Sequence, residues 1–106
     1  MGYIRHHAIV VTGWRSDEVE EAHGEAVELG CACSPVVASR TNGYVSFCVF
    51  PDGSKEGWDE SEQGNDRRNG LILWMRERVD LDWVEVQYGD DERETKIVRH
   101  SDEDSR

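Results

Sequence analysis

The chain has 106 residues and a formal net charge of −11, from 12 lysines and arginines against 23 aspartates and glutamates. A chain of this length forms one domain with a single modest core. The negative charge disfavours nonspecific binding to nucleic acid or to anionic membranes, because both carry charge of the same sign. No secretory leader and no apolar run of membrane-spanning length is visible, so we expect a cytoplasmic protein.

The three cysteines, Cys31, Cys33 and Cys48, form an odd set. An odd count argues against a disulfide framework and favours reduced thiols. The Cys31-Ala-Cys33 spacing is shorter than the spacings of zinc motifs, and a metal ion there would need two further ligands. We therefore predict no metal site and no cofactor.

The first third of the chain predicts a strand and then a helix. Residues 3–13, YIRHHAIVVTG, are rich in β-branched side chains and carry apolar residues on both faces, which indicates a central strand ending at Gly13. The segment SDEVEEAHGEAVELG predicts a helix that Ser16 or Asp17 caps and Gly30 terminates. Four apolar residues share one face of this helix: Val19, Ala22, Ala26 and Leu29.

The middle of the chain carries a hairpin signal, PVVASRTNGYVSFCVF. Asn42-Gly43 between two β-prone runs predicts a two-residue type I′ turn, which requires left-handed backbone at both positions. Alternation along the second run assigns Val45, Phe47 and Val49 to the core.

The last part of the chain predicts a second helix and a strand. NDRRNGLILWMRERV carries a helical apolar stripe with Trp74 at its edge, formed by Leu71, Ile72, Met75 and Val79. DWVEVQY alternates Val84, Val86 and Tyr88 with Trp83, Glu85 and Gln87, which predicts a half-buried strand. RETKIV reads as a short return strand at the edge.

The order β-α-β-β-α-β predicts a ferredoxin-like α+β fold with a four-stranded antiparallel sheet and two helices on one face. We assign residues 1–100 to this single domain and residues 101–106 to a disordered acidic tail. We further expect the inner strands, the first and the third, to run parallel. Both strand-to-helix loops would then lie at one end of the sheet.

Those two loops resemble each other, since one contains Gly13-Trp14 and the other Gly57-Trp58, each followed by acidic residues and a helix. Two tryptophans beside two helix N-termini would form a pocket in which indole rings stack on a base and cations contact phosphate. A loop tryptophan also commonly folds over the end of a small core, and this alternative stays open. The candidate ligand-binding residues are Arg5, His7, Trp14, Arg15, Lys55 and Trp58.

Signals of enzymatic chemistry are weak. His6 and His7 are neighbours on a strand, so their side chains point to opposite faces and cannot chelate one ion together. The sequence has no nucleophile elbow, no phosphate-binding loop and no dinucleotide fingerprint. The acids of the central polar stretch, Asp59, Glu60, Glu62 and Asp66, do not match the calcium-loop spacing. We therefore predict a protein that is not an enzyme and has no catalytic residues.

Three segments, YIRHHAIVVT, DGSKEGWDES and DWVEVQYGDD, resemble those of small acidic proteins encoded by actinobacterial phages. The resemblance implies a phage accessory protein in the host cytoplasm, and such proteins often antagonise bacterial defence. Our leading hypothesis is an anti-defence protein that sequesters a small nucleotide signal. The rival is an acidic inhibitor of a host defence protein that acts as a nucleic-acid mimic. A metal-assisted hydrolase built on His6 or His7 ranks last. We expect a homo-oligomer that forms through the open sheet face or an edge strand.

Overall fold

The structure, a computed structural model, describes residues 6–53, 59–89 and 95–104. These residues form five strands and two α-helices, followed by one turn of 3₁₀ helix at Ser101–Asp104. In chain order the main elements are β1 (His6–Gly13), α1 (Ser16–Leu29), β2 (Val37–Ala38), β3 (Val45–Val49), α2 (Asp59–Arg76), β4 (Leu81–Tyr88) and β5 (Lys96–His100). The strands form one sheet in the order β2-β3-β1-β4-β5.

The predicted α+β class is confirmed, with one difference in the sheet. The predicted fold has four strands, whereas the sheet has five, because β5 pairs antiparallel with β4 at the edge. The segment that reads as a short return strand is therefore part of the sheet. Glu85 pairs with Arg99 in this register.

The predicted central position of β1 is confirmed, but the predicted direction of its inner neighbour is wrong. β1 pairs antiparallel with β3, with Ile9 opposite Val49 and Gly13 opposite Val45. The reason is the β2–β3 hairpin. Because β3 pairs antiparallel with both β2 and β1, β2 is parallel to β1 and β3 is antiparallel to β1. The chain consequently leaves β1 and β3 at opposite ends of the sheet.

Both helices cover the same face of the sheet. On the α1 side, the His23 ring packs edge-on against Phe47 of β3, with centroids 5.2 Å apart. On the α2 side, Arg68 contacts Glu85 of β4, and Glu85 lies beside Ile9 in the register. The enclosed core comprises Ile9, Val11, Val19, Ala22, Ala26, Phe47, Val49, Leu71, Ile72, Met75, Leu81 and Trp83.

Most of the predicted core positions are confirmed by this cluster, while Leu29 and Val45 pack against it half-buried. Val79 is an exception, because α2 ends at Arg76 and the Val79 side chain is 94% exposed. The apolar stripe of the helix thus stops one turn before the sequence pattern suggested.

The predicted C-terminus of α1 is confirmed, but the predicted N-cap is wrong. Gly30 terminates α1 with a φ of 88°, and Cys31 N–H donates to Ala26 O, as a Schellman motif requires. Neither Ser16 nor Asp17 caps the N-terminus of α1, where Arg15 takes the N-cap position without a side-chain hydrogen bond.

The β2–β3 hairpin has a six-residue loop, residues 39–44, instead of the predicted type I′ turn.

In that loop the Asn42 side chain takes the turn-forming role. Asn42 Oδ1 accepts hydrogen bonds from Tyr44 N–H at 3.0 Å and from Ser39 Oγ at 2.6 Å. Gly43 does not adopt the positive φ that a type I′ turn needs. The side-chain bonds therefore stabilise a wider loop than the Asn-Gly pair predicted.

β4 confirms the predicted half-buried strand, and its buried face is the more polar one. Leu81, Trp83, Glu85 and Gln87 point towards the helices and are buried. The alternate residues, Val84 and Val86, share the opposite face with Val10 and Ala8 of β1.

The chain continues in regular structure beyond His100, whereas a disordered tail was expected from residue 101. Ser101 begins the 3₁₀ turn, and its Oγ accepts a hydrogen bond from Trp83 N–H at 3.1 Å. Neither described helix is long and apolar enough to cross a membrane.

Candidate functional site

Trp14 follows β1 directly and is 58% exposed, so it neither lines a buried pocket nor folds over the core. The neighbouring Arg15 guanidinium lies 6.0 Å from the Trp14 ring. Arg15 is already paired with acids, 3.0 Å from Asp17 and 3.8 Å from Asp80. The hydrogen bond between Arg15 and Asp17 raises the pKa of Arg15 and lowers that of Asp17. Arg15 is therefore held by carboxylates rather than presented to a phosphate.

The other predicted ligand-binding residues do not join Trp14 in the described part of the chain. His7 lies near the far end of β1, about 20 Å along the strand from Gly13. Its ring faces the helices, with Nδ1 3.9 Å from Glu85 Oε2. Arg5, Lys55 and Trp58 lie outside the described residues.

The expected shared rim depended on parallel inner strands, and that premise is wrong. β3 ends at Val49, which pairs with Ile9, while Trp14 follows Gly13 at the other end of β1. α1 and α2 also run in opposite directions, since Gly70 of α2 lies against Leu29 while Arg67, earlier in α2, lies beside Gly30, later in the chain than Leu29. The start of α2 is consequently remote from the start of α1.

A buried charge cluster connects four elements on the helix side of the sheet. Glu85 of β4 is only 2% exposed. Its Oε1 accepts from Arg99 Nε and also lies 2.7 Å from Arg99 Nη2, while its Oε2 lies 3.2 Å from Arg68 Nε. Arg68 is itself buried and also donates to Asn65. We call Glu85, Arg68, Arg99 and His7 the Glu85 cluster.

The Glu85 cluster has the properties of a structural network. Both carboxylate oxygens face guanidinium groups, so Glu85 is engaged by two cations and is not presented to a ligand. His6, on the opposite face, packs tilted against Tyr88 with ring centroids 5.2 Å apart. Among residues 6–53, 59–89 and 95–104, no group of three His, Cys, Asp or Glu side chains is placed to hold a metal ion.

A small cavity lies at the end of the sheet where β3 and α1 terminate. It has a volume of about 210 Å³ and is lined by Cys31, Phe50 and Arg67, among others. Burial raises the pKa of the Cys31 thiol, which disfavours the nucleophilic thiolate, although two nearby arginines oppose this. Phe50 is half exposed, and Arg67 makes no ion pair with any described residue. We call this the Arg67 cavity.

The outer surface of the helices is acidic. α1 carries six carboxylates and no lysine or arginine. The first two turns of α2 add four more carboxylates. The acidic helical layer is defined by the exposed members of both sets: Asp17, Glu20, Glu21, Glu28, Asp59, Glu60, Glu62 and Asp66.

Comparison with protein-family models, with curated proteins and with solved structures gives no match.

Sequence reasoning missed the Glu85 cluster because its members come from four separate elements. Polarity along β4 suggests that Glu85 faces solvent, and only the pairing with β5 and the position of α2 bring cations to it. The one local signal is the unusual combination of Trp83, Glu85 and Gln87 on a single face of a strand. The acidic helical layer, in contrast, follows directly from the helical periodicity of α1.

Proposed function

We propose that this chain is a non-enzymatic binding protein whose acidic helical layer docks on a basic surface of another protein. The observation that carries the proposal is the separation of charge, with six carboxylates and no lysine or arginine on α1. A helix of this kind has little to gain from intrahelical ion pairs, because every neighbouring charge has the same sign. Asp17 and Glu18 lie within ion-pair distance of Arg15, whereas the other four carboxylates of α1 form no ion pair with a described residue and are available to an external cation.

The physical advantage lies in the rate of association. A surface of one sign attracts a complementary surface over roughly a Debye length and orients the encounter before contact. The net charge of −11 strengthens this field and suppresses binding to acidic partners. Together with the resemblance to phage proteins, this supports an anti-defence inhibitor that acts in the host cytoplasm on a basic site, such as one that normally binds nucleic acid.

The test is capture of a partner from host lysate at low and at high salt, using the full chain as bait. A triple variant, Glu20→Gln, Glu21→Gln and Glu28→Gln, removes three charges of α1 without altering side-chain size. Glu77→Gln, an exposed acid outside the acidic helical layer, is the matched control.

We expect a salt-sensitive protein partner that the triple variant binds with an association rate reduced about tenfold or more. The Glu77→Gln control should bind like the wild type. Equal association rates for the triple variant and the wild type would reject the acidic helical layer as the docking surface.

A second candidate, capture of a small nucleotide signal, is favoured by the Arg67 cavity. An exposed aromatic ring, Phe50, and an arginine without a described ion pair, Arg67, line the same small volume. Stacking of a base on an aromatic ring is worth about 1–3 kcal/mol, and a guanidinium adds phosphate contacts. The Asp52 carboxylate on the rim works against a highly charged ligand.

Calorimetric titration with cyclic and linear nucleotides tests this candidate. Arg67→Ala and Phe50→Ala should abolish the binding heat, whereas Trp14→Ala should not change it. If only Trp14→Ala lost the binding heat, the nucleotide site would lie at the Trp14 end of β1 and not in the Arg67 cavity. No heat with any nucleotide, for folded wild-type protein, would remove the candidate.

We further propose that the fold is a ferredoxin-like arrangement extended by one strand. The spatial order β2-β3-β1-β4 and the two helices on one face support this assignment. In it, β5 is an addition that supplies Arg99 to the Glu85 cluster.

A further inference from the structure

One face of the sheet is left uncovered by the described residues. Strand residues alternate between the two faces, and the residues that alternate with the core positions point away from both helices. We call this the open face. Its apolar members are Ala8, Val10, Val37, Cys48, Val84, Val86, Tyr88 and Ile97.

The open face is nearly free of charge, in contrast to the rest of the molecule. Among its described strand residues the only acid is Asp82, and the only other ionisable side chains besides Tyr88 and Cys48 are His6 and His100. Its polar groups also satisfy one another in part, since Thr12 and Ser46 share a hydrogen bond of 2.8 Å. The open face can therefore be desolvated while the Thr12 and Ser46 hydroxyl groups keep a hydrogen-bond partner.

The open face also has a shape that could fit against a second copy of itself. At one end of β4 a cavity of about 620 Å³ is lined by Val10, Val84 and Ile97, together with the ionisable side chains of Asp82, His100 and Asp102. At the other end of the same strand Tyr88 stands partly exposed. A twofold axis that lies in the interface plane, perpendicular to β4, would place the Tyr88 ring of each copy over the cavity of the other, as an isologous interface requires.

The area is sufficient for a reversible dimer. The strands have eight, two, five, eight and five residues. At a rise of about 3.3 Å and a strand spacing of about 4.8 Å they present roughly 450 Å² of flat area per copy. Two copies bury roughly 900 Å² before side-chain relief is counted, which is below the about 1,200 Å² of stable interfaces and in the range of weak, reversible ones.

We propose that a second copy of this chain covers the open face, so that two sheets pack face to face. This placement resolves the conflict with the net charge of −11. The acidic helical layers then lie on the two outer surfaces, separated by two helix layers and an intersheet gap, about 30 Å in all. That distance exceeds the Debye length of about 8 Å several times, so their repulsion is screened.

A basic partner does not fit this face, because the carboxylates that would attract it are on the opposite side of the molecule. The dimer is independent of the acidic docking surface and leaves both copies of that surface accessible. Failure of one proposal therefore does not imply failure of the other.

Sedimentation equilibrium of the full chain over a wide concentration series tests the dimer. The wild type should approach twice 12.1 kDa as concentration rises. Val10→Lys and Ile97→Lys each place a cation on the open face and should raise the dissociation constant about 100-fold or more. Val27→Lys places the same charge on an apolar residue of α1 whose exposure lies between those of Val10 and Ile97, and it should leave the constant unchanged.

The native cysteines supply a second readout that does not depend on a substitution. Cys48 lies on the open face opposite Val10, whereas Cys31 and Cys33 pack against the core on the helix side. Alkylation of Cys48 should slow as protein concentration rises, while the rates of Cys31 and Cys33 should stay constant. A wild type that remains a monomer at every concentration would overturn the proposal, as would a dimer that both open-face lysines leave intact.

Discussion

Replacing Glu85 by glutamine tests whether the Glu85 cluster holds the sheet and α2 together. The substitution keeps the shape of the side chain and removes its charge. Arg68, which is only 7% exposed, then faces a neutral amide at the position of its 3.2 Å ion pair. Arg99 is more exposed and can recover contact with water, so most of the cost falls on Arg68.

Breaking a buried ion pair by removing one partner costs about 3–5 kcal/mol. The lower value applies here, because the amide still accepts hydrogen bonds and Arg68 retains Asn65. A loss of about 3 kcal/mol is a large part of the 5–15 kcal/mol by which a typical domain is stable. With a urea dependence of about 2 kcal/mol per molar, the unfolding midpoint should fall by about 1.5 M.

Urea unfolding followed by tryptophan fluorescence measures this change. Asp17→Asn, which removes the acid from an exposed ion pair with Arg15, is the control and should leave the midpoint almost unchanged. A double variant, Glu85→Met with Arg68→Met, should recover part of the lost stability, because neither charge then remains buried at that contact. An unchanged midpoint for Glu85→Gln would refute the structural role assigned to this carboxylate.

Three further changes probe packing and thiol chemistry. Gly13→Ala should lower the free energy of unfolding by about 1–3 kcal/mol, measured by thermal melting, because its Cβ would lie 2.9 Å from Val19 Cγ2. Arg78→Ala should cost about 0.5–1 kcal/mol in the same assay, since it removes a guanidinium stacked 3.4 Å over the Trp74 ring. Burial raises the pKa of Cys31 and Cys33 above the ordinary value near 9, so iodoacetamide should react with them more slowly in folded than in urea-unfolded protein. The raised pKa stabilises the folded protein below about pH 9, and this stabilisation is lost as the pH rises through the pKa of the folded protein. Equal iodoacetamide rates in folded and urea-unfolded protein would contradict the raised pKa.

The sequence alone determined the elements whose signals are local. The apolar face of α1, its glycine terminus and the buried residues of β3 all follow from the spacing of side chains along one segment. A helix repeats every 3.6 residues and a strand every two, so neighbouring residues within one element already specify which face is buried. The acidic character of α1 could be predicted for the same reason.

Tertiary structure decided the features that depend on how segments meet. The direction of β3 relative to β1 follows from the path of the chain through α1 and the β2–β3 hairpin, and this path places the starts of α1 and α2 at opposite ends of the sheet. Glu85 reads as a solvent-facing residue until Arg68 and Arg99 arrive from other elements. The periodicity of a sequence shows only that the two faces of an element differ in polarity. The energy of burying a charge and the direction of a strand both depend on residues that are distant in the chain.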